Sequence, residues 1–171
     1  MFVRVNGHKI PVDVIGVAEY CGFDIVECRL GDTAGFLCVA DSKKLIYVNE
    51  QSRTTRQRFT VAHELGHHLL GHRTTGFARF NCYQERKANI FAAELLMPGV
   101  AAGIIWGKIK AWAERAESES SFIKLPPEWM ISTFVDKFKV SILAAKIRLK
   151  SLGFIKNVVT REGTSVVSLM A

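Results

Sequence analysis

Apolar residues recur at near-helical spacing in the middle of the chain, and this pattern predicts a helix from about Arg53 to Leu70. Ser52 is the candidate N-cap, and Gly71 follows the last apolar pair as a candidate stop. The residues expected on the buried face of this helix are Val61, Ala62, Leu65, Leu69 and Leu70. Its solvated face is expected to carry Arg53, Arg56 and Arg58.

Three shorter apolar runs before this helix have the length and composition of strands. They are Asp24–Arg29, Phe36–Ala40 and Lys44–Asn49. The last two alternate in part and are joined by a hairpin-type turn at residues 41–43, so a small antiparallel sheet is predicted. Ahead of it, residues 2–10 predict a short strand or arm, and residues 11–20 predict a helix that stops at Gly22.

Helical periodicity returns after residues 72–82, a stretch that contains Gly and Thr and is interpreted as a loop. One helix is predicted from about Gln84 to Leu96, and another from about Gly99 to Ala116. The residues expected to face inward from the second of these helices are Ile104, Ile105, Ile109 and Trp112. Residues 117–121, which are only Glu and Ser, form the predicted linker.

Beyond the linker, Glu128–Phe138 and Ser141–Leu152 predict two short helices separated by a tight turn, a pattern similar to helix-turn-helix. Residues 154–159 and 165–169 predict a final hairpin. The chain is therefore expected to be of the α+β class. We expect a first domain at residues 1–116 and a helix-turn-helix-like segment with its hairpin at residues 122–171, packed on the first.

Composition places the chain among ordinary globular proteins, with 171 residues of which 49% are hydrophobic and 23% charged. The start has no apolar run of signal-peptide length, and the most apolar stretch, residues 90–106, is interrupted by Glu94 and Pro98. The four cysteines include no Cys-x-x-Cys pair, which favours buried free thiols in a reducing compartment. A cytoplasmic protein with no membrane segment is expected.

The positive charge is concentrated in the C-terminal part of the chain. Residues 1–100 carry 12 basic and 10 acidic residues, whereas residues 101–171 carry 11 basic and 6 acidic residues. This excess favours an acidic partner or nucleic acid, and a solvated basic surface explains it equally well.

The predicted central helix contains the motif His-Glu-x-x-His at residues 63–67. Residues four apart lie on one face of a helix, so His63 and His67 can offer two imidazoles to one metal ion. Glu64 lies beside them, where a carboxylate can take a proton from an attacking water. The motif therefore indicates a metal site with hydrolytic chemistry.

A catalytic zinc site usually has three protein ligands, and the candidates for the third are Cys82, Glu85 and Glu94. Asn89 lies one turn beyond Glu85 on the same helical face, where its amide could orient a ligand. Glu94 lies nine residues after Glu85, about 900° around a helix, and so faces the opposite side. The spacing favours Glu85.

Two long segments in the correct order resemble the ImmA/IrrE family of bacterial metallopeptidases. They are residues 58–70, RFTVAHELGHHLL, and residues 85–98, ERKANIFAAELLMP. The preceding hairpin, which ends in Ile46-Tyr47-Val48-Asn49, is also similar to the strand before the family's motif helix. The resemblance covers about residues 10–100 well and the rest of the chain loosely.

The resemblance implies a zincin-like helical core with His63, His67 and Glu85 as metal ligands and Glu64 as catalytic base. It implies a zinc metallo-endopeptidase, with manganese or iron left open as the metal. It further implies that the substrate is a helix-turn-helix repressor, often encoded on a mobile element, and hence a role in transcription regulation.

The sequence leaves open which residue stabilises the oxyanion and which strand binds the substrate. Tyr47, Tyr83, His68 and His72 are candidates for stabilising the oxyanion of the reaction. Lys44–Asn49 is hypothesised to accept an extended substrate as an added strand.

The alternative function is a DNA-binding or protein-interaction regulator with a non-catalytic metal site, because Lys146, Arg148 and Lys150 lie where a groove-reading helix carries its basic residues. The many apolar residues of that helix favour structural support or repressor docking instead.

Overall fold

The computed structural model describes residues 3–5, 7–40, 43–72, 81–120, 125–156, 159–161 and 164–166. Along the chain, the first elements are β1 (Val3–Val5), β2 (His8–Ile10), α1 (Val14–Tyr20), β3 (Asp24–Cys28), β4 (Gly35–Ala40), β5 (Lys43–Asn49) and α2 (Thr54–Leu69). They are followed by α3 (Cys82–Leu96), α4 (Gly99–Glu119), α5 (Pro127–Phe138), α6 (Ile142–Ser151), β6 (Val159–Arg161) and β7 (Thr164–Val166). The α+β class is confirmed.

The contacts divide the chain into two compact units, residues 12–96 and residues 1–11 with 97–171. This division differs from the predicted one, which separated residues 1–116 from residues 122–171. The two divisions differ because α4 extends through the predicted linker as far as Glu119. This helix belongs to the same unit as α5 and α6. Ser121 lies outside the described residues.

The unit of residues 12–96 contains a three-stranded sheet in the order β3-β5-β4. The predicted antiparallel pairing holds for β4 and β5, but β3 runs parallel to β5, so the sheet is mixed. The hypothesis that β5 accepts a substrate strand is wrong, because β5 is the central strand and both of its edges are already paired. Among the described strands of this sheet, β3 and β4 are the two outer strands, so each has one edge without a partner strand. Two residues of the predicted turn, Asp41 and Ser42, lie outside the described residues.

Alternation along β5 decides which of its side chains enter the core of this unit. Ile46 and Val48 are fully buried, as are Val61 and Leu65 of α2. Gly35 lets β4 lie against the same helix, because a Cβ there would be 2.5 Å from Thr60 Cγ2 and 2.4 Å from the carbonyl oxygen of Tyr47. The motif helix is therefore held directly against the sheet.

The start of α2 differs from the prediction. Arg53, not Ser52, occupies the N-cap position, and no side chain caps the helix. The segment before α2 is held instead by the buried Asn49, whose Nδ2 donates to the carbonyls of Gly31 at 2.7 Å and Thr33 at 3.0 Å. Its backbone carbonyl accepts a hydrogen bond from Gln57 at 3.2 Å, which links β5 to the first turns of α2.

Arg58 was expected on the solvated face of α2, and this expectation is wrong. Its Nη2 donates to the carbonyl of Val12 at 2.8 Å, at the start of α1. Burial lowers the pKa of its guanidinium, against the opposing charge of Asp13. Arg53 and Arg56 are exposed, as predicted.

The second unit has an aromatic core formed by α4, α5 and the residues after α6. Trp106 lies 6.1 Å from Phe134 and 6.4 Å from Phe154 between ring centroids. Ile105 and Ile109 are buried as predicted, but Ile104 and Trp112 are exposed. The buried stripe of α4 passes through positions 102, 105, 106, 109 and 113, which leaves positions 104 and 112 outside it.

The two short helices of the helix-turn-helix-like pattern are present as α5 and α6, separated by a tight turn. Lys139 ends α5 with a φ of 53°, and the Ser141 hydroxyl caps α6 by accepting the amide of Ala144 at 3.1 Å. The basic residues of α6 differ from the expectation, since Lys146 and Arg148 are buried, and Arg148 Nε donates to the carbonyl of Met97 at 3.0 Å.

A final hairpin is present as the antiparallel pair of β6 and β7, but β6 shares only residue 159 with the predicted strand at residues 154–159, and β7 begins at Thr164. Its turn, residues 162–163, and residues 167–169 lie outside the described residues. The cysteines are free, but Cys21, Cys28 and Cys38 are only partly buried and Cys82 is exposed. Among the described helices no single one is long and apolar enough to cross a membrane, although α3 and α4 taken together as a bent pair pass the same test.

Candidate metal centre

The two histidines of the motif and Glu85 converge on one point between α2 and α3. His63 Nε2 lies 3.0 Å from His67 Nε2. The Glu85 carboxylate approaches both rings, with Oε2 3.3 Å from His63 Nε2 and Oε1 3.5 Å from His67 Nε2. The three side chains predicted as ligands are therefore brought together.

These donor atoms fit a small divalent ion. An ion bound tetrahedrally, with bonds near 2.0–2.1 Å, separates its ligand atoms by about 3.3 Å, which matches the observed spacing. Two imidazoles and one carboxylate suit zinc, and the same donors also bind manganese or iron. Among the described residues, these three side chains form the one group of His, Cys, Asp or Glu whose donor atoms converge in this way.

Each candidate ligand histidine has a partner on its outer nitrogen. His63 Nδ1 lies 3.0 Å from the Asn89 side-chain oxygen, which can only accept a hydrogen bond, so the proton is on Nδ1 and Nε2 keeps a free lone pair. Asn89 thus occupies the orienting position that the sequence predicted. His67 Nδ1 lies 3.0 Å from His72 Nδ1. His72 therefore contacts the ring nitrogen of His67 that points away from the candidate metal position.

Burial and the neighbouring rings disfavour charge on these imidazoles. The pKa of His67 is lowered to about 4, first by burial and then by His63 and His72. Burial also lowers the pKa of His63, against the opposing influence of Glu85. Both rings are therefore neutral near pH 7, which is the form that binds a metal ion.

Gly66 explains how α3 comes close enough to contribute Glu85. A Cβ at this position would lie 3.0 Å from Phe91 Cδ1 and 3.2 Å from the Cα and carbonyl oxygen of Ala88. The absence of a side chain lets the two helices approach to backbone contact, one turn from Glu85. The sequence does carry a signal, a glycine inside an otherwise regular helix, but that signal does not say which element approaches.

Glu64 points away from solvent and is 8% exposed. Burial, and to a smaller extent the charge of Glu85, raise the pKa of its carboxyl group to about 7, and a backbone hydrogen bond from Leu37 opposes the shift. A carboxyl group with a pKa near neutrality can both take and return a proton.

The hydrogen bond from Leu37 places Glu64 at the open edge of the sheet. The Asn49 amide donates to the Ala34 carbonyl at 2.9 Å, so residues 34, 36, 38 and 40 bond to β5. The backbone groups of Gly35, Leu37 and Val39 consequently face the other way, along the edge that passes Glu64. No side-chain pattern identifies a backbone amide, so the role of Leu37 could not be recognised from the sequence.

The other ligand and oxyanion candidates have different surroundings. Glu94 and Cys82 are exposed and are not members of the converging group. The rings of Tyr47 and His68 contact other aromatic rings, with Tyr47 stacked 4.7 Å from Phe36 and His68 edge-on to Phe23 at 4.9 Å. Tyr83 is exposed, with the Lys87 ammonium 5.4 Å from its ring.

Two comparisons with known proteins agree with this arrangement. Residues 18–150 match the model of the Peptidase_M78 family, described as the IrrE N-terminal-like domain. The chain is also 36% identical over 92 residues to a protein of Bacillus subtilis (strain 168) named Metallopeptidase ImmA, an alignment that covers 47% of this chain and 53% of that protein. The chain thus spans about half the length of the curated relative it matches.

Proposed function

We propose that this chain, which belongs to the Peptidase_M78 family of IrrE N-terminal-like domains, is a zinc-dependent endopeptidase. The observation that carries the proposal is the convergence of His63, His67 and Glu85, whose donor atoms are 3.0 to 3.5 Å apart. The buried carboxyl group of Glu64 belongs to the same helix, directly beside the first ligand. A relative that carries the name metallopeptidase adds support.

A divalent ion held by these ligands would supply Lewis-acid chemistry, polarising the scissile carbonyl and lowering the pKa of water from about 15.7 towards 7. Glu64 takes the proton from the attacking water and passes it to the leaving amine. Its pKa near 7 suits both transfers. Asn89 holds His63 in the tautomer that keeps its Nε2 available, and the contact of His72 with Nδ1 of His67 orients the second imidazole.

The open edge of β4 is the element that can hold an extended peptide beside Glu64. Its outward backbone groups at residues 35 and 39, together with the carbonyl of Leu37, can pair with a substrate strand, while the Leu37 amide donates to Glu64. Pairing would fix the scissile bond relative to the base without using side chains.

As the substrate we propose a helix-turn-helix transcriptional repressor, and as the location the cytoplasm. The substrate assignment rests on the resemblance to the ImmA/IrrE family. Free thiols at all four cysteines are what a reducing compartment favours.

The experiment is cleavage of the repressor encoded nearest to the gene, with metal content measured on the same samples. Glu64→Gln is expected to keep the metal and lose cleavage. His63→Ala and Glu85→Ala are expected to lose both, whereas Glu94→Ala, a change at an exposed glutamate of the same helix as Glu85, is expected to lose neither.

A Glu64→Gln protein that still cleaves the repressor would refute the role of the base. A Glu85→Ala protein with full metal content would refute the ligand set. Reconstitution of the metal-free protein with zinc, manganese or iron then identifies the ion that restores cleavage.

A further inference from the structure

The unit formed by residues 1–11 and 97–171 contains a cavity of about 700 Å³. One wall is α4, which contributes Ile105, Ile109 and Trp112 at the spacing of a single helical face. A second wall is α5, which contributes Trp129 and Thr133, and the β1–β2 hairpin supplies Val5 and Ile10. The volume lies in the range of small-molecule sites, roughly 300–1,000 Å³.

An aromatic pair forms the most distinctive surface of this cavity. The rings of Trp112 and Trp129 stack with centroids 5.0 Å apart and planes 26° apart. Trp112 is 55% exposed, although the next residue, Ala113, belongs to the buried stripe of α4. A flat ring laid on this pair would extend the stack and cover apolar surface that now faces solvent.

The rim of the cavity carries an excess of positive charge. Its charged residues are Lys108, Asp136, Lys137 and Lys139. Among the described lining residues Asp136 is the single carboxylate, and it lies 3.9 Å from the ammonium group of Lys139. Within the described ranges neither Lys108 nor Lys137 forms an ion pair. A cavity with apolar walls and a cationic rim selects for a ligand that is flat and anionic.

We infer that this cavity binds a small planar anion, an aromatic ring system that carries one carboxylate, sulfonate or phosphate group. The rings lie against Trp112 and Trp129, and the anionic group lies between Lys108 and Lys137. None of these residues belongs to the proposed metal site, so the inference stands or falls separately from the proposed peptidase activity.

The test uses two probes that share an aromatic body and differ in charge. 1-Anilinonaphthalene-8-sulfonate carries the anion, and N-phenyl-1-naphthylamine lacks it. With the full chain, the sulfonate is expected to bind saturably at one equivalent with energy transfer from tryptophan, and about tenfold more tightly than the neutral probe. Equal affinity for the two probes, or binding that does not saturate, would overturn the inference.

Variants separate the two parts of the site. The double change Lys108→Glu with Lys137→Glu is expected to weaken the sulfonate about tenfold and to leave the neutral probe within about twofold. Trp112→Ala is expected to weaken both probes, and it is suitable because the side chain is more than half exposed. Lys150→Glu, an exposed lysine of the same unit outside the cavity, is the matched control and is expected to change neither affinity.

Circular dichroism and thermal unfolding of each variant confirm that the fold is retained. If Trp112→Ala or the double charge reversal binds the sulfonate as tightly as the unmodified chain, the cavity is not the binding site.

Discussion

Both ring nitrogens of each candidate ligand histidine lie within hydrogen-bonding distance of a neighbouring side chain. The inner Nε2 atoms face each other at 3.0 Å, and the outer Nδ1 atoms lie 3.0 Å from Asn89 and His72. Such outer hydrogen bonds fix the tautomer and the orientation of a ligand ring. Metal affinity is therefore expected to depend on residues that never touch the ion.

His72→Ala is expected to weaken metal affinity about 10- to 100-fold, because His67 loses the partner of its Nδ1 atom. Competition with a chromogenic chelator measures the change. The matched control is His68→Ala, which removes the histidine next to His67 that packs against Phe23 instead. Affinities of the two variants that differ by less than about twofold would show that His72 does not orient the ligand.

Glu64 is expected to make the stability of the metal-free protein depend on pH. Its pKa is about 7 in the folded chain and 4.5 by default, so folding favours the protonated acid. The stability that the folded chain gains from the raised pKa of Glu64 is fully present below about pH 4.5, and it is lost as the pH rises through about 7. Glu64→Gln should therefore be more stable than the unmodified chain at pH 8, by roughly 1–3 kcal/mol, and equal to it near pH 4.

Denaturant unfolding at the two pH values, after removal of metal, measures this difference. Glu27→Gln, the same change at an exposed glutamate of β3, is the matched control. A pH-independent effect of Glu64→Gln would contradict the raised pKa.

At the scale of elements, the metal centre depends on how closely α2 and α3 approach. Gly66→Ala places a methyl group 3.2 Å from the backbone of Ala88, so α3 must shift. The change is expected to cost about 1–3 kcal/mol of stability and to weaken metal binding, because Glu85 moves with α3.

Thermal unfolding and chelator competition on the same protein check both effects. The control is Gly107→Ala in α4, where a Cβ meets nothing within 4 Å. That change should be neutral or stabilise the protein by about 0.5–1 kcal/mol, since alanine is the better helix former. A Gly66→Ala protein with unchanged metal affinity would show that α3 tolerates the shift.

The second prediction at this scale concerns the edge of the sheet. Val39→Pro removes an amide that faces away from β5, so it costs no hydrogen bond within the sheet. Cleavage is expected to fall at least about tenfold, with metal content and fold retained, because substrate pairing loses a donor. Val39→Ala keeps the amide and should retain activity, and equal activity of the two variants would exclude this edge as the substrate strand's partner.

At the scale of the whole molecule, the charge of +7 does not by itself indicate DNA binding. The helix in the position of a groove reader buries Lys146 and Arg148 and exposes Ile142, Leu143 and Ile147. An exposed apolar face cannot read base edges by hydrogen bonding. Two of the basic residues that make up the C-terminal excess are therefore buried and do not face a nucleic-acid partner.

Arg148→Ala is expected to lower the stability by about 1–3 kcal/mol, because the buried carbonyl of Met97 loses its donor. Affinity for a random DNA duplex at low salt should stay unchanged. Thermal unfolding and fluorescence anisotropy check the two outcomes. A groove-reading Arg148 would give the opposite result, a stable protein with weaker and less salt-dependent DNA binding.

The sequence by itself determined the parts of this protein that depend on local periodicity. His63 and His67 share a face because they are four residues apart on a helix, and Glu85 and Asn89 share one for the same reason. The helices, their glycine stops and the cap at Ser141 follow from the same short-range rules.

Only the tertiary structure decided which elements meet across long stretches of chain. It made β5 the central strand, brought the amide of Leu37 to Glu64, turned Arg148 towards Met97 and left Trp112 in an exposed aromatic pair. Strand order, backbone contacts and the partner of a buried charge depend on residues tens of positions apart. A periodic pattern predicts which face of a helix or strand is buried, but it does not predict which other element covers that face.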